Sequence, residues 1–331
     1  MINNLLIHSL LSFFILIFVS KISYKFKLLD FPNKRKIHNK PTANTGGLAL
    51  SLIYVFSVFY FNISNEELNL ILTISFLISI VGFVDDKYHL NVGGKLSLQV
   101  IPIIYLIVLE NLNLITIGDY NYFKLELNSF TIPFTLLAVC FLINSFNYFD
   151  GTDGTLGFTV ITVLSILFFL SESENFQLFL IVLNIPLCFF LIFNFSVLKL
   201  PKLFLGDSGS LLLGFIIAFT LIYMANEKIA HPILLAFSIS IFAYEFLTIN
   251  LIRLLNNQNL FKAGQDHLHH FLLVKTKSIF FTNILISLLN IMFFIIGYLS
   301  FLLVGSILAL ILFVILFFIF FYLRNKYYKK L

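Results

Sequence analysis

The stretch VGFVDDKYHL (81–90) ends a long apolar run in two adjacent carboxylates, Asp85 and Asp86. If the run is a helix, both acids stand at its C-terminal end, where the helix dipole disfavours negative charge. Two like charges side by side add repulsion. The rest of the chain sharpens the question. Of 331 residues only 11% are charged, 60% are hydrophobic and 43 are Phe, whereas an average soluble domain carries roughly 25% charged residues. A soluble surface cannot be built from so few charges, so the chain reads as an integral membrane protein. A chain this poor in charge has placed two acids where electrostatics resists them.

Moving outward, apolar runs of membrane length fall near 3–20, 47–62, 68–84, 96–112, 131–147, 156–170, 176–196, 209–225, 231–252, 280–299 and 302–323. The last two could form one hairpin broken near Gly305, which gives ten or eleven spans. The first run lacks a basic leader and a small-residue cleavage site and reads as a retained span. Cys140 and Cys188 lie inside apolar runs and read as small buried hydrophobes. With the N-terminus outside, 19 of the 21 Lys and Arg residues fall on inner segments, and only Lys124 and Lys228 lie outside. The expected fold is therefore all-α: a polytopic transmembrane bundle forming one domain over residues 1–331, N-terminus out and C-terminus in.

Four compact polar motifs occupy different inner segments. In DDKYHLNVGGK (85–95), the acids and Lys95 are misplaced charges of both signs. A plain cytoplasmic turn is one reading; a site for a cation and phosphates is the other. In NSFNYFDGTDG (144–154), Asn144 and Asn147 share one helix face, and Asp150 and Asp153 each precede a Gly in a tight turn. In LFLGDSGS (203–210), Asp207 or Ser208 could cap the next helix; a carboxylate there is also a hard-oxygen ligand suited to Mg²⁺. In QDHLHHFLL (265–273), His267, His269 and His270 suit a pyrophosphate better than zinc, which prefers other spacings. A fifth stretch, KRKIHNKPTANTGG (34–47), reads alone as juxtamembrane positive charge. Together they point to a Mg²⁺-assisted reaction on a phosphate compound at the inner interface, with one water-soluble and one lipid substrate.

Taken in order from about Asp30 to Phe271, these motifs resemble the polyprenyl-phosphate N-acetylhexosamine-1-phosphate transferases. That resemblance implies transfer of a sugar 1-phosphate from a UDP-sugar to undecaprenyl phosphate, releasing UMP, with Mg²⁺ as cofactor and Mn²⁺ as a substitute. It implies a catalytic pair, Asp85 at the lipid phosphate and Asp86 supporting the site's charge pattern. Asp207 and Asn147 would hold the metal, and Lys95 a phosphate. Asp150 and Asp153 would contact the nucleotide or lie just beyond the metal, and Phe204 would stack on uracil. His267, His269 and His270 would contact the donor. HLHH is similar to the branch using UDP-GlcNAc or a related UDP-HexNAc; the peptidoglycan branch, using UDP-MurNAc-pentapeptide, is the alternative. Departures are Glu245 in place of an Asp, Gly264–Gln265 in place of Asp–Arg, and Asn44 or Thr45 in place of an Arg. The expected location is the cell membrane with the site on the cytoplasmic face. Partners are the two substrates and membrane lipid, with no nucleic acid and a homodimer left open. A transporter or flippase is the rival from another class, but transporters place ionisable groups near the midplane, whereas these acids gather at one face.

The charge split makes a direct expectation: a reporter fused after Leu331 reads as cytoplasmic, and one inserted near Ser173 reads as external. A cytoplasmic Ser173 contradicts the placement of every motif.

Overall fold

The structure is a computed structural model that describes residues 2–32, 40–61, 65–259, 264 and 266–328. The basic run 34–39, Lys262 and Gln265 therefore lie outside the described residues. Each apolar run forms a helix, because backbone in lipid must satisfy its own hydrogen bonds. Those helices are α1 (Ile2–Lys25), α2 (Gly46–Phe61), α3 (Glu66–Tyr88), α4 (Val92–Ile104, continued by a π turn over Tyr105–Leu109), α5 (Thr131–Phe149), α6 (Thr155–Leu170), α7 (Glu174–Asn194), α8 (Gly206–Asn226), α9 (Pro232–Ser238), α10 (Ser240–Leu255), α11 (Leu268–Thr276), α12 (Ile279–Leu303) and α13 (Ser306–Tyr328). Eight are long and apolar enough to cross a membrane, and α9 with α10 makes a ninth candidate. α2 and α6 have 16 residues each, roughly 24 Å of helix, short of a hydrocarbon core of about 30 Å.

α8 is the axis of the bundle, with α3, α5 and α2 packed on it. Of its most apolar window, 94% is buried, as expected for a helix apolar on every side. Glycines let the backbones meet. A Cβ on Gly82 would run into the backbone of Asp207 and Ser208, and one on Gly47 into the backbone of Gly209. α3 and α8 are antiparallel neighbours, so the end of one lies against the start of the other.

The run expected as a single span at 231–252 is broken: α9 and α10 meet at 72°. The freed backbone groups are satisfied from a distant helix. Asn290 on α12 donates to the Ser238 carbonyl (2.8 Å) and accepts from the Ile241 amide (3.2 Å).

The connecting segments gather into two groups. At one end, β1 (Leu29–Asp30) pairs with β2 (Thr42–Ala43), and Ala43 bridges to Leu203 beside the start of α8. At the other, β3 (Thr116–Asp119) pairs with β4 (Lys124–Glu126). There His231 bonds the Asp119 carbonyl (2.9 Å) and Asn65 donates to the Tyr223 hydroxyl (2.9 Å). Each of these contacts joins segments that the charge pattern assigns to the same side.

Gly82→Val should drive α3 off α8 and lower stability in detergent by roughly 1–3 kcal/mol, the scale of overpacking. Gly93→Ala is the control, since its Cβ would meet only the Asn91 side chain at 3.6 Å. Thermal unfolding of the two variants checks this; equal melting temperatures contradict the close-packed crossing.

Candidate active site

The site grows from the start of α8. Leu205 occupies its N-cap position and offers no side-chain acceptor. The acceptor comes from α3: Asp86 receives hydrogen bonds from the backbone amides of Asp207 (3.1 Å) and Ser208 (3.2 Å). A carboxylate unfavourable at the end of α3 is thus favourable at the start of α8. Gly206, at φ +71°, makes the turn, and a Cβ there would press on Asn44 and Asp86. Asn44 also hydrogen-bonds Asp86.

Around this joint the other predicted groups assemble. Asp85 is buried; one oxygen accepts from the Leu90 amide (2.9 Å) and the other meets the Lys95 ammonium (2.7 Å). Lys95 also reaches Asp207 (2.5 Å), so it bridges the two carboxylates. Its position in the first turn of α4, poor by the dipole rule, is offset by these two acids. Asn147 donates to Asp207 (2.8 Å) and to the Ser210 hydroxyl (2.9 Å), which leaves its amide oxygen as the remaining acceptor. Asn144, on the same face by spacing, donates to the Cys140 carbonyl (2.7 Å) and to the Gln99 side-chain oxygen (3.5 Å).

Asp150 and Asp153 flank this group on the turn after α5. Burial, reinforced by the charges of Asp207, Asp86 and Asp153, pushes the Asp150 carboxyl well above the usual carboxylate range. Asp153 pairs with Lys202 (2.5 Å), whose ammonium also stands 5.1 Å from the centre of the Phe204 ring. Phe204 is held by its backbone, donating to the Ala43 carbonyl (2.8 Å) and accepting from the Gly46 amide (2.9 Å). Five carboxyl groups, counting Asp150, therefore share one end of the bundle. Among the described residues, the ammonium groups in salt bridges with them are Lys95 and Lys202. This surplus of negative charge, carried on oxygen, suits a hard divalent cation.

The histidines form the neighbouring wall. His269 is buried, and its ring lies where a Cβ on Gly151 would point, directly against the DG turn. His267 packs on Tyr148 and His269, and His269 on His270, at ring separations of 4.9, 5.6 and 4.3 Å. Burial pushes His267 down to about 4, and burial lowers His269 and His270 as well. All three are thus neutral near pH 7. Among the described residues no three His, Cys, Asp or Glu side chains converge as a metal-binding group. Lys202 and Arg324 were not singled out from sequence, and Asn44 and Glu245 stood out there only as departures from the family's pattern. Only Lys202 carried a local signal, lying two residues before Phe204.

The neutral imidazoles set a pH dependence. Unfolded histidines take up protons below about 6.5, whereas folded His267 stays neutral down to about 4. Stability should therefore fall as pH drops from 6.5 toward 4. Unfolding temperatures between pH 7.5 and 5 should decline less steeply in His269→Gln than in wild type; equal slopes contradict the buried neutral state.

Residues 68–225 match the family described as glycosyl transferase family 4. The chain is 28% identical over 259 residues to the probable undecaprenyl-phosphate N-acetylglucosaminyl 1-phosphate transferase of Bacillus subtilis, covering 76% of this chain and 71% of that one. It is 27% identical over 264 residues to the undecaprenyl-phosphate alpha-N-acetylglucosaminyl 1-phosphate transferase of Yersinia pestis, covering 76% and 71%. The enzyme of the same name from Escherichia coli K12 is 26% identical over 268 residues, covering 78% and 72%. The matched segment holds the whole acid cluster, with Lys95, Asn147 and Phe204, while the histidine arm lies beyond it. Over residues 68–225 the chain is similar to glycosyl transferase family 4.

Proposed function

We propose that this protein transfers N-acetylglucosamine 1-phosphate, or a close N-acetylhexosamine relative, from its UDP-sugar to undecaprenyl phosphate. The observation that carries the reading is the joint at the start of α8: Asp207 beside Asn147, Lys95 and Asp85, with Asp86 on the helix amides. The relatives' names support the acceptor and the sugar. A lipid phosphate oxygen attacks the phosphorus that bears the sugar. The bond from that phosphorus to the bridging oxygen breaks, and UMP leaves with the bridging oxygen. The product is a lipid-linked sugar diphosphate, the first intermediate of a cell-surface glycan.

The geometry supports a role for each residue. Asp207 and the free amide oxygen of Asn147 would hold Mg²⁺, or Mn²⁺ in its place, completed by water and phosphate oxygens as Mg²⁺ usually is. The ion supplies charge neutralisation at the diphosphate. Lys95 holds a phosphate oxygen, and its two carboxylate partners fix where its ammonium stands. Asp85 positions the lipid phosphate, which is already largely ionised near pH 7. Asp86 is a positioning residue that acts through the backbone of α8. Phe204 offers a face to uracil. Asp153 with Lys202, and the DG turn with the histidines, take the nucleotide and the sugar diphosphate. The reaction runs on the cytoplasmic face of the cell membrane, where the basic segments lie and UDP-sugars are found.

Purified protein with Mg²⁺ and undecaprenyl phosphate should release UMP from UDP-GlcNAc or a close UDP-HexNAc and be inert with UDP-MurNAc-pentapeptide. The opposite preference moves it to the peptidoglycan branch. Asp85→Asn should slow turnover while UDP-sugar still binds. A loss of roughly 10²–10⁴-fold would assign proton abstraction rather than positioning, and an unchanged rate removes Asp85 from the site.

A further inference from the structure

The histidine arm is pinned by a buried ion pair that the reaction itself does not require. Glu245 on α10 and Arg324 on α13 are 1% and 4% exposed. Arg324 donates through Nε to Glu245 Oε2 (3.0 Å) and through Nη2 to Oε1 (2.9 Å). Each partner also grips the arm. Glu245 Oε1 accepts from the Leu268 amide (2.7 Å) at the first residue of α11, and Arg324 Nη2 donates to the Asp266 carbonyl (2.8 Å). Arg253 completes the hold with two bonds to the Asp266 carboxylate (3.0 and 2.8 Å). These contacts fix the backbone at Asp266 and Leu268, on either side of His267 and one residue before His269.

Net stability does not account for the pair. Removing two charges from water costs several kcal/mol per ion, and apolar replacements of similar volume are often neutral or stabilising. An apolar pair could fill the gap between α10 and α13, but it could neither accept from Leu268 nor donate to Asp266. What the charges add is register of the arm.

We propose that the Glu245–Arg324 pair positions the histidine arm for the sugar-diphosphate donor, with Arg324 of the last helix as a specificity-determining positioning residue that touches no substrate. This rests on the reading that the arm serves the donor. In this arrangement α13, remote in sequence from the acid cluster, belongs to the donor half of the site, while the lipid half depends on α3, α4 and α8.

The test replaces the pair by apolar residues, Glu245→Leu with Arg324→Met, alongside Arg324→Met and Glu245→Gln alone. The double variant should melt close to wild type. In the substrate-free protein its backbone amides over 266–276 should exchange faster with deuterium than those of wild type, while α3 and α8 keep their protection. Its KM for UDP-GlcNAc should rise about tenfold, the scale of one lost hydrogen bond to a charged group, with KM for undecaprenyl phosphate within about twofold. Glu245→Gln keeps an acceptor for Leu268 and should lie between the two. A double variant with unaltered exchange at 266–276, or with both KM values raised together, overturns the proposal. Exchange needs no substrate, so it judges the pin even if UDP-GlcNAc proves not to be the donor. Failure of wild type to turn over UDP-GlcNAc tells against the functional reading alone.

Discussion

Two amides at the start of α8 have no acceptor in their own helix, and the carboxylate of Asp86 supplies one from α3. The remaining site depends on that contact. It turns an electrostatic liability of α3 into the cap of the most buried helix in the bundle, and it fixes the backbone that carries Asp207. A cap of this kind contributes typically ~1 kcal/mol. Its larger consequence is geometric. Antiparallel packing through Gly82 brings the end of α3 onto the start of α8, so Asp85 faces Asp207 across the Lys95 ammonium.

The acids gathered there repel one another and are only partly balanced by Lys95 and Lys202. Such an arrangement favours ligands that bring positive charge, and a divalent cation with a diphosphate is the chemistry that fits. The histidine wall is built on another footing. Its imidazoles are held neutral by burial and pack on one another and on Tyr148, in a wall fixed by the ion pairs of Glu245, Asp266, Arg253 and Arg324. One half of the site is organised by charge, the other by burial.

Much of this was legible in the chain itself. Lipid forces backbone into helices, so every apolar run could be found by counting, and charge sorted the connections into two groups that the contacts reproduce. Asp85, Asp86, Lys95, Asn147 and Asp207 stood out because polar groups in an apolar chain need partners. The bend at Ser238–Ser240 did not show, because no Pro or Gly marks it and its broken hydrogen bonds are repaired by Asn290, some fifty residues away. Helical spacing placed Asn144 and Asn147 on one face, but which partner each reaches, Gln99 or Asp207, depends on the neighbouring helices. Arg324 counted only as one more inner positive charge. Its meaning lies in Glu245 and Asp266, which sequence distance hides.

In the proposed reading, Asp86 organises the cation site through the backbone of α8, without holding the ion itself. Mn²⁺ binding to the purified protein, followed by its electron paramagnetic resonance signal, tests this most directly. The account predicts one site per chain that is abolished by Asp207→Asn. Asp86→Ala, which leaves the Asp207 carboxylate in place but removes the acceptor for its amide, should weaken that site. An Asp86→Ala protein that binds Mn²⁺ as tightly as wild type would contradict it.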